Sequence, residues 1–228
     1  MSGRRLREII GAFSSVGLTS LIEKGKAAED KSTPRKLRLA FEKLGPSFVK
    51  IGQILSTRSD IFPEVYVREL SKLQSNVLPL PTELVMEAIE AELTGPVSAY
   101  FSEIRPEPLA SGSVAQTHRA RLLNGKDVII KIQRPNLPEI IEEDLTLLIR
   151  LSRRIPKAFI PMVELPEVLQ QIKESLTCEI DFRNEAQAMI TFAELNQSSK
   201  CIASPEVYGE FTTPRLIVED YVSGIPIN

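Results

Sequence analysis

The sequence predicts an α+β fold: helices over residues 1–100, then a five-stranded antiparallel sheet with helices on one side over residues 101–228. Apolar residues recur at helical spacing before Gly95-Pro96 and alternate with polar ones beyond Phe101. Asn124-Gly125, set between two alternating runs, marks a two-residue hairpin turn. With 43% of its 228 residues hydrophobic and 25% charged, the chain can bury a core of this size.

Arg4, Arg5 and Arg7 open a stretch in which Ile9, Ile10, Phe13, Val16 and Leu21 line one side of a helix. That side either docks on the protein's own body or rests on an anionic membrane surface. Serines and Gly17 dilute its apolar centre and Glu8 interrupts its basic start, so no targeting peptide is expected. Residues 36–44 form the next helix, which Gly45 closes, and Pro46 opens another at its first position, where its missing N–H costs nothing. Further helices are expected over 63–74 and over 82–93, the second capped by Thr82. Strands follow at 103–109, 114–122 and 127–133, helices at 138–154 and 166–195, and strands again at 205–209 and 215–222. No internal repeat or low-complexity tract interrupts this order.

Several function classes are excluded or disfavoured by composition. A formal net charge of -2 argues against general nucleic-acid binding, which needs a basic excess or face. Cys178 and Cys201 are too few for a disulfide framework and fit a reducing, cytoplasmic compartment. No apolar run approaches the roughly 20 residues that span a bilayer. The one histidine, His118, reads as a strand residue with a satisfied hydrogen bond, and no cluster suits a metal.

Two lysines stand out. Lys50, Gly52 and Gln53 interrupt an apolar helical run of Phe48, Ile51, Ile54 and Leu55, with Lys50 and Gln53 on one face. Lys50 either snorkels to water or meets a partner, and a mid-helix glycine points to close approach by another element. Lys131 lies in the third strand, downstream of a loop of small residues, Ala110, Ser111, Gly112 and Ser113, whose backbone amides a phosphate could approach. It is either a phosphate ligand or an edge-strand charge that blocks aggregation. A buried strand lysine needs a carboxylate. Glu142 and Glu143 follow it in sequence, and Asp181 and Glu185 share a helical face further on, with Glu179 pointing elsewhere.

Taken together, Lys50-Ile51-Gly52-Gln53, the loop running to Gln116 and His118, the strand from Val128 through Lys131 to Pro135, and Glu179 with Asp181 resemble the UbiB/AarF family of atypical protein-kinase-like proteins. The likeness covers residues from about 30 onwards through four ordered motifs: K-x-G-Q, the small-residue loop, the lysine strand and E-x-D. It implies a protein-kinase-like N-lobe behind a helical K-x-G-Q extension. It also implies binding of ATP or ADP with Mg²⁺, in support of isoprenoid-quinone or lipid metabolism at membranes. Ala110, Ser111, Gly112, Ser113 and Val114 would cover the phosphates, Lys131 would contact them and pair with Glu185, and Glu219, Tyr221 and Val222 would form the hinge beside adenine. Lys50 and Gln53 would reach into the active site, with Glu179 as partner of Lys50, and so disfavour peptide substrates. The implied partners are adenine nucleotide, a membrane surface or isoprenoid lipid, and proteins of a biosynthetic complex. A non-catalytic nucleotide-sensing scaffold is the alternative.

Gly112 stands where the family commonly has alanine, and Ile129 where kinases have the alanine above adenine. His118-Arg119-Ala120 and Asp181-Phe182-Arg183 imitate a catalytic loop and an Asp-Phe-Gly site without completing either. Residues 1–228 are therefore not expected to transfer phosphoryl groups by themselves, and the Mg²⁺ ligands are expected in a C-lobe that they do not include.

Overall fold

A computed structural model describes residues 3–16, 32–60, 63–73, 77–154 and 164–224. In chain order its elements are α1 (Gly3–Ser15), α2 (Thr33–Leu44), α3 (Pro46–Leu55), α4 (Glu64–Leu70), α5 (Thr82–Glu92), β1 (Phe101–Ser111), β2 (Ala115–Leu122), β3 (Asp127–Gln133), α6 (Leu137–Ser152), α7 (Leu165–Ile180), α8 (Phe182–Leu195) and β4 (Leu216–Asp220). They form two compact units, one of Met1–Ser75 with Asn136–Leu176, the other of Asn76–Pro135 with Thr177–Asn228. The fold is α+β.

The first unit is helical. Gly45 joins α2 to α3 at φ 97, a conformation glycine adopts without strain, and its amide closes α2 on Phe41 O at 3.2 Å. Pro46 opens α3 as expected. Helix α1 docks on its own unit: Ile9 and Ala12 are buried, and the Phe13 ring meets those of Phe41 and Phe48 at 6.2 and 6.0 Å. Arg5 adds a bidentate pair to the buried Asp144, at 2.6 and 2.7 Å, and donates to Leu44 O at 2.8 Å. Ile9, Ala12, Phe13 and Val16 are thus spent on packing, as the docking reading expects, whereas Ile10, expected on the same side, is exposed. Leu21, expected on the same face, lies outside the described residues.

The second unit is built on an antiparallel sheet of order β1-β2-β3-β4. The sheet has four strands among the described residues, not five. Of the 205–209 strand only an isolated bridge, Val207 to Glu219, is present; Pro205 lacks an N–H for a ladder, and Gly209–Phe211 curls into a 3₁₀ turn. The hairpin also differs. Only Gly125 has positive φ, 87°, so Leu122 to Gly125 makes an ordinary turn with glycine in the bulge position, and the connection has a third residue. Asn124 supports it by accepting from the Lys126 amide at 3.0 Å.

Strand alternation sends side chains to both faces of the sheet, and each face carries a helix, correcting the one-sided expectation. Val128, Ile130, Ile132, Leu216 and Val218 pack with Val85 and Ile89 of α5, whereas Ala115 and Ile217 pack with Phe182 and Ala186 of α8. Pro81, not Thr82, is the residue before α5, and no side chain caps that helix. The expected 166–195 helix is two helices. Asp181 leaves helical geometry at φ -88, ψ 101, and its carboxylate accepts from the Arg183 amide at 3.1 Å, which starts α8 afresh. Asp181 and Glu185 are therefore not successive turns of one continuous helix.

Candidate functional site

Lys131 extends from β3 on the face it shares with Ile217, its register partner. Its ammonium donates to both carboxylate oxygens of Glu185, at 2.8 and 2.6 Å, and lies 4.9 Å from the centre of the Phe182 ring. The break at Asp181 sets this geometry by placing Glu185 in the first turn of α8. Three contacts hold the start of α8 to the sheet. Phe182 is buried, its amide donates to Pro214 O at 3.1 Å, and Gln133 Nε2 donates to Ile180 O at 2.7 Å. The hydrogen bond from Arg183 holds the Asp181 carboxyl below its ordinary range. Of the carboxylates weighed as partners of Lys131, Glu185 is the one that meets it; Glu142 instead takes Lys173.

Ala110 and Ser111, expected in the loop, are instead the last residues of β1, paired with Thr117 and Gln116, so that Gly112 to Val114 alone connect β1 to β2. The Gly112 amide donates to Ala115 O at 2.8 Å, closing the turn, and Val114 O accepts from the Arg134 amide at 2.9 Å. The amides of Ser113 and Val114 donate to no acceptor among the described residues, although Ser113 is 3% exposed. Backbone donors without a protein partner are open to water or to a ligand. The described residues contain no group of three or more side chains suited to a metal.

Glu219, opposite Ile129 in register, brings a second carboxyl to the face of Lys131. Burial raises its pKa, the Glu185 carboxylate raises it further, and Lys131 pulls it down. Just past β4, the Tyr221 amide donates to Asp127 O at 3.1 Å and its ring lies under the Arg119 guanidinium at 4.2 Å, while Val222 is exposed.

A polar chain runs along the opposite face of the sheet. Gln116, wholly buried, accepts from the Leu80 amide at 2.7 Å and meets His118 Nε2 at 2.8 Å; His118 Nδ1 reaches Arg105 O at 2.8 Å. Both ring nitrogens of His118 are engaged, which makes it a structural strand residue, as expected.

The K-x-G-Q residues lie in the first unit, on α3. Gly52 is packed so closely that a Cβ there would clash with Leu73 Cδ1 and stand 2.7 Å from Phe41 Cδ2, which accounts for the glycine. Gln53 donates to Leu73 O at 3.1 Å, and Lys50 is half-buried. Glu179 belongs to the second unit, near the end of α7.

Comparison with known proteins agrees with this architecture. The ABC1 atypical kinase-like domain matches residues 72–228. An uncharacterized protein in the hydrogenase 1 5' region of Clostridium pasteurianum is 36% identical over 225 residues, covering 98% of this chain and 42% of that protein. Among solved structures, the Rv3197–erythromycin complex from Mycobacterium tuberculosis matches with a TM-score of 0.55 at 27% identity, over 81% of this chain and 46% of that one. The chain therefore spans less than half the length of these relatives. With a family match over most of its length, the chain belongs to the ABC1 atypical kinase-like family.

Proposed function

We propose that this chain forms the nucleotide-cradling part of an atypical kinase or ATPase that binds ATP or ADP with Mg²⁺. The observation that carries the reading is the Lys131–Glu185 pair, at 2.6 Å, on the sheet face next to a loop with two uncommitted amides. A lysine fixed by a carboxylate presents its remaining donor capacity in one direction, which suits a polyphosphate better than a freely moving ammonium does. The amides of Ser113 and Val114 add uncharged donors that can approach phosphate oxygens closely. In this reading Glu219, Tyr221 and Val222 line the base. Mg²⁺, when bound, neutralises charge building on the phosphates.

Lys50 and Gln53 are proposed to complete the active site, with Lys50 paired to Glu179. An extension that occupies the peptide side of the cleft favours hydrolysis of ATP or a small, lipid-like acceptor. The setting proposed is isoprenoid-quinone or lipid metabolism at a membrane surface. Among the described residues no helix is long and apolar enough to cross a membrane. Titration of the protein at its natural length with ATP and ADP, with and without Mg²⁺, tests the reading; saturable, Mg²⁺-dependent binding is expected, and its absence rejects it.

A further inference from the structure

We propose that Arg134 is the positioning residue of the phosphate-facing loop and the fixed positive charge behind it, a role that rests on the nucleotide reading above. Arg134 follows directly on β3, the strand of Lys131. Its Nε donates to Gly112 O at 2.8 Å, and its Nη2 donates to Ser111 Oγ and to Leu78 O, both at 2.9 Å. Its own amide holds Val114 O at 2.9 Å. One residue thus ties Ser111, Gly112 and Val114 to the end of the strand that carries Lys131. The planar guanidinium fork is what allows several acceptors to be held at once, and a lysine would not reproduce it.

The charge of Arg134 is the second part of the inference. Arg5, Arg38 and Arg119 each face a carboxylate, Asp144, Glu69 and Asp127 respectively. The acceptors of Arg134 among the described residues are two carbonyls and a hydroxyl, all neutral, and its Nη1 has none. Burial without a counter-charge pushes its pKa down, so the cation is held at a cost. A di- or triphosphate at the Ser113 and Val114 amides would provide the missing negative charge. The loop would then arrive already shaped, so little ordering is left for binding to offset.

Calorimetric titration of the natural-length protein with ADP, inorganic pyrophosphate and adenosine tests this on Arg134→Met and Arg134→Lys. The Met variant is expected to weaken ADP and pyrophosphate by about tenfold or more and adenosine by less than about twofold; the Lys variant, with the charge but not the fork, recovers part of the loss. Equal weakening of adenosine and ADP would reveal a purely structural residue and overturn the proposal. Unchanged ADP affinity would overturn it while leaving the nucleotide reading intact. Arg134-dependent binding of pyrophosphate without binding of ADP or adenosine would uphold Arg134 and reject the nucleotide reading. Binding of none of the three rejects both. If Arg134→Met does not fold, Arg134→Lys and Ser111→Ala carry the same comparison, each expected to weaken ADP more than adenosine.

Discussion

Lys131 on β3 and Glu185 on α8, 54 residues apart in sequence, meet in a bidentate ion pair at 2.8 and 2.6 Å. Both side chains keep about a third of their surface open, 31% and 37%, so the pair is screened by water and contributes little to stability. Its value lies in position: it fixes where a charged strand residue points.

Asp181 sets the start of α8 and so the place of Glu185. Asp181→Ala removes the cap and is expected to cost about 1 kcal/mol in urea unfolding at neutral pH. Its folded pKa is depressed below the ordinary 3.8 by Arg183. The contribution is therefore present above the unfolded value and is lost as pH falls through the folded one. Wild type and variant should converge in acid, and a gap that persists there would mean that the carboxylate is not the source.

Glu219 has the opposite sign. Its folded pKa is raised above the ordinary 4.5, so the folded state holds the proton more tightly than the unfolded chain. Stability linked to it is full below the unfolded pKa and falls as pH rises through the folded one. Glu219→Gln should then unfold at higher urea than wild type at pH 7 and at the same urea near pH 4. A variant less stable at pH 7 would contradict the placement of this carboxyl beside Glu185.

Gly52→Ala tests the close approach in the first unit. Alanine gains about 1 kcal/mol of helix propensity, but a methyl 2.7 Å from the Phe41 ring and against Leu73 Cδ1 overpacks a buried site. Overpacking costs about 1–3 kcal/mol, so a net loss of about 1 kcal/mol is expected. Leu73→Ala in the same background should cost less than it does alone. Stabilisation by Gly52→Ala would show that the approach is looser than described.

Lys50→Ala in the natural-length protein is expected to shift basal ATP turnover or nucleotide affinity severalfold, about 1 kcal/mol of coupling. Glu179→Gln should give the same shift, with no further change in the double variant. Turnover and affinity untouched by Lys50→Ala would remove this helix from the proposed active site.

The sequence made Lys131 legible because strand period and a turn signal placed it, whereas Glu185 was one of several carboxylates left open and was singled out by the family resemblance alone. The glycine in α3 was also readable, since it gave up helix propensity for contact. What escaped depends on distant partners. The end of α7 at Asp181 needed an N-cap recognised inside a continuous apolar pattern. The fifth strand is reduced to the Val207–Glu219 bridge, because the chain curls into a 3₁₀ turn at Gly209. Arg134 carried no signal of its own, because the carbonyls it holds come from residues 22 and 56 positions away.

Lys131 is proposed to hold a nucleotide's phosphates. Mg²⁺-dependent ADP binding to the natural-length protein, measured by calorimetry for wild type and Lys131→Ala, addresses it most directly. The variant is expected to bind about tenfold or more weakly, with an unfolding free energy unchanged to within about 1 kcal/mol. Equal ADP affinity in the two proteins would contradict it.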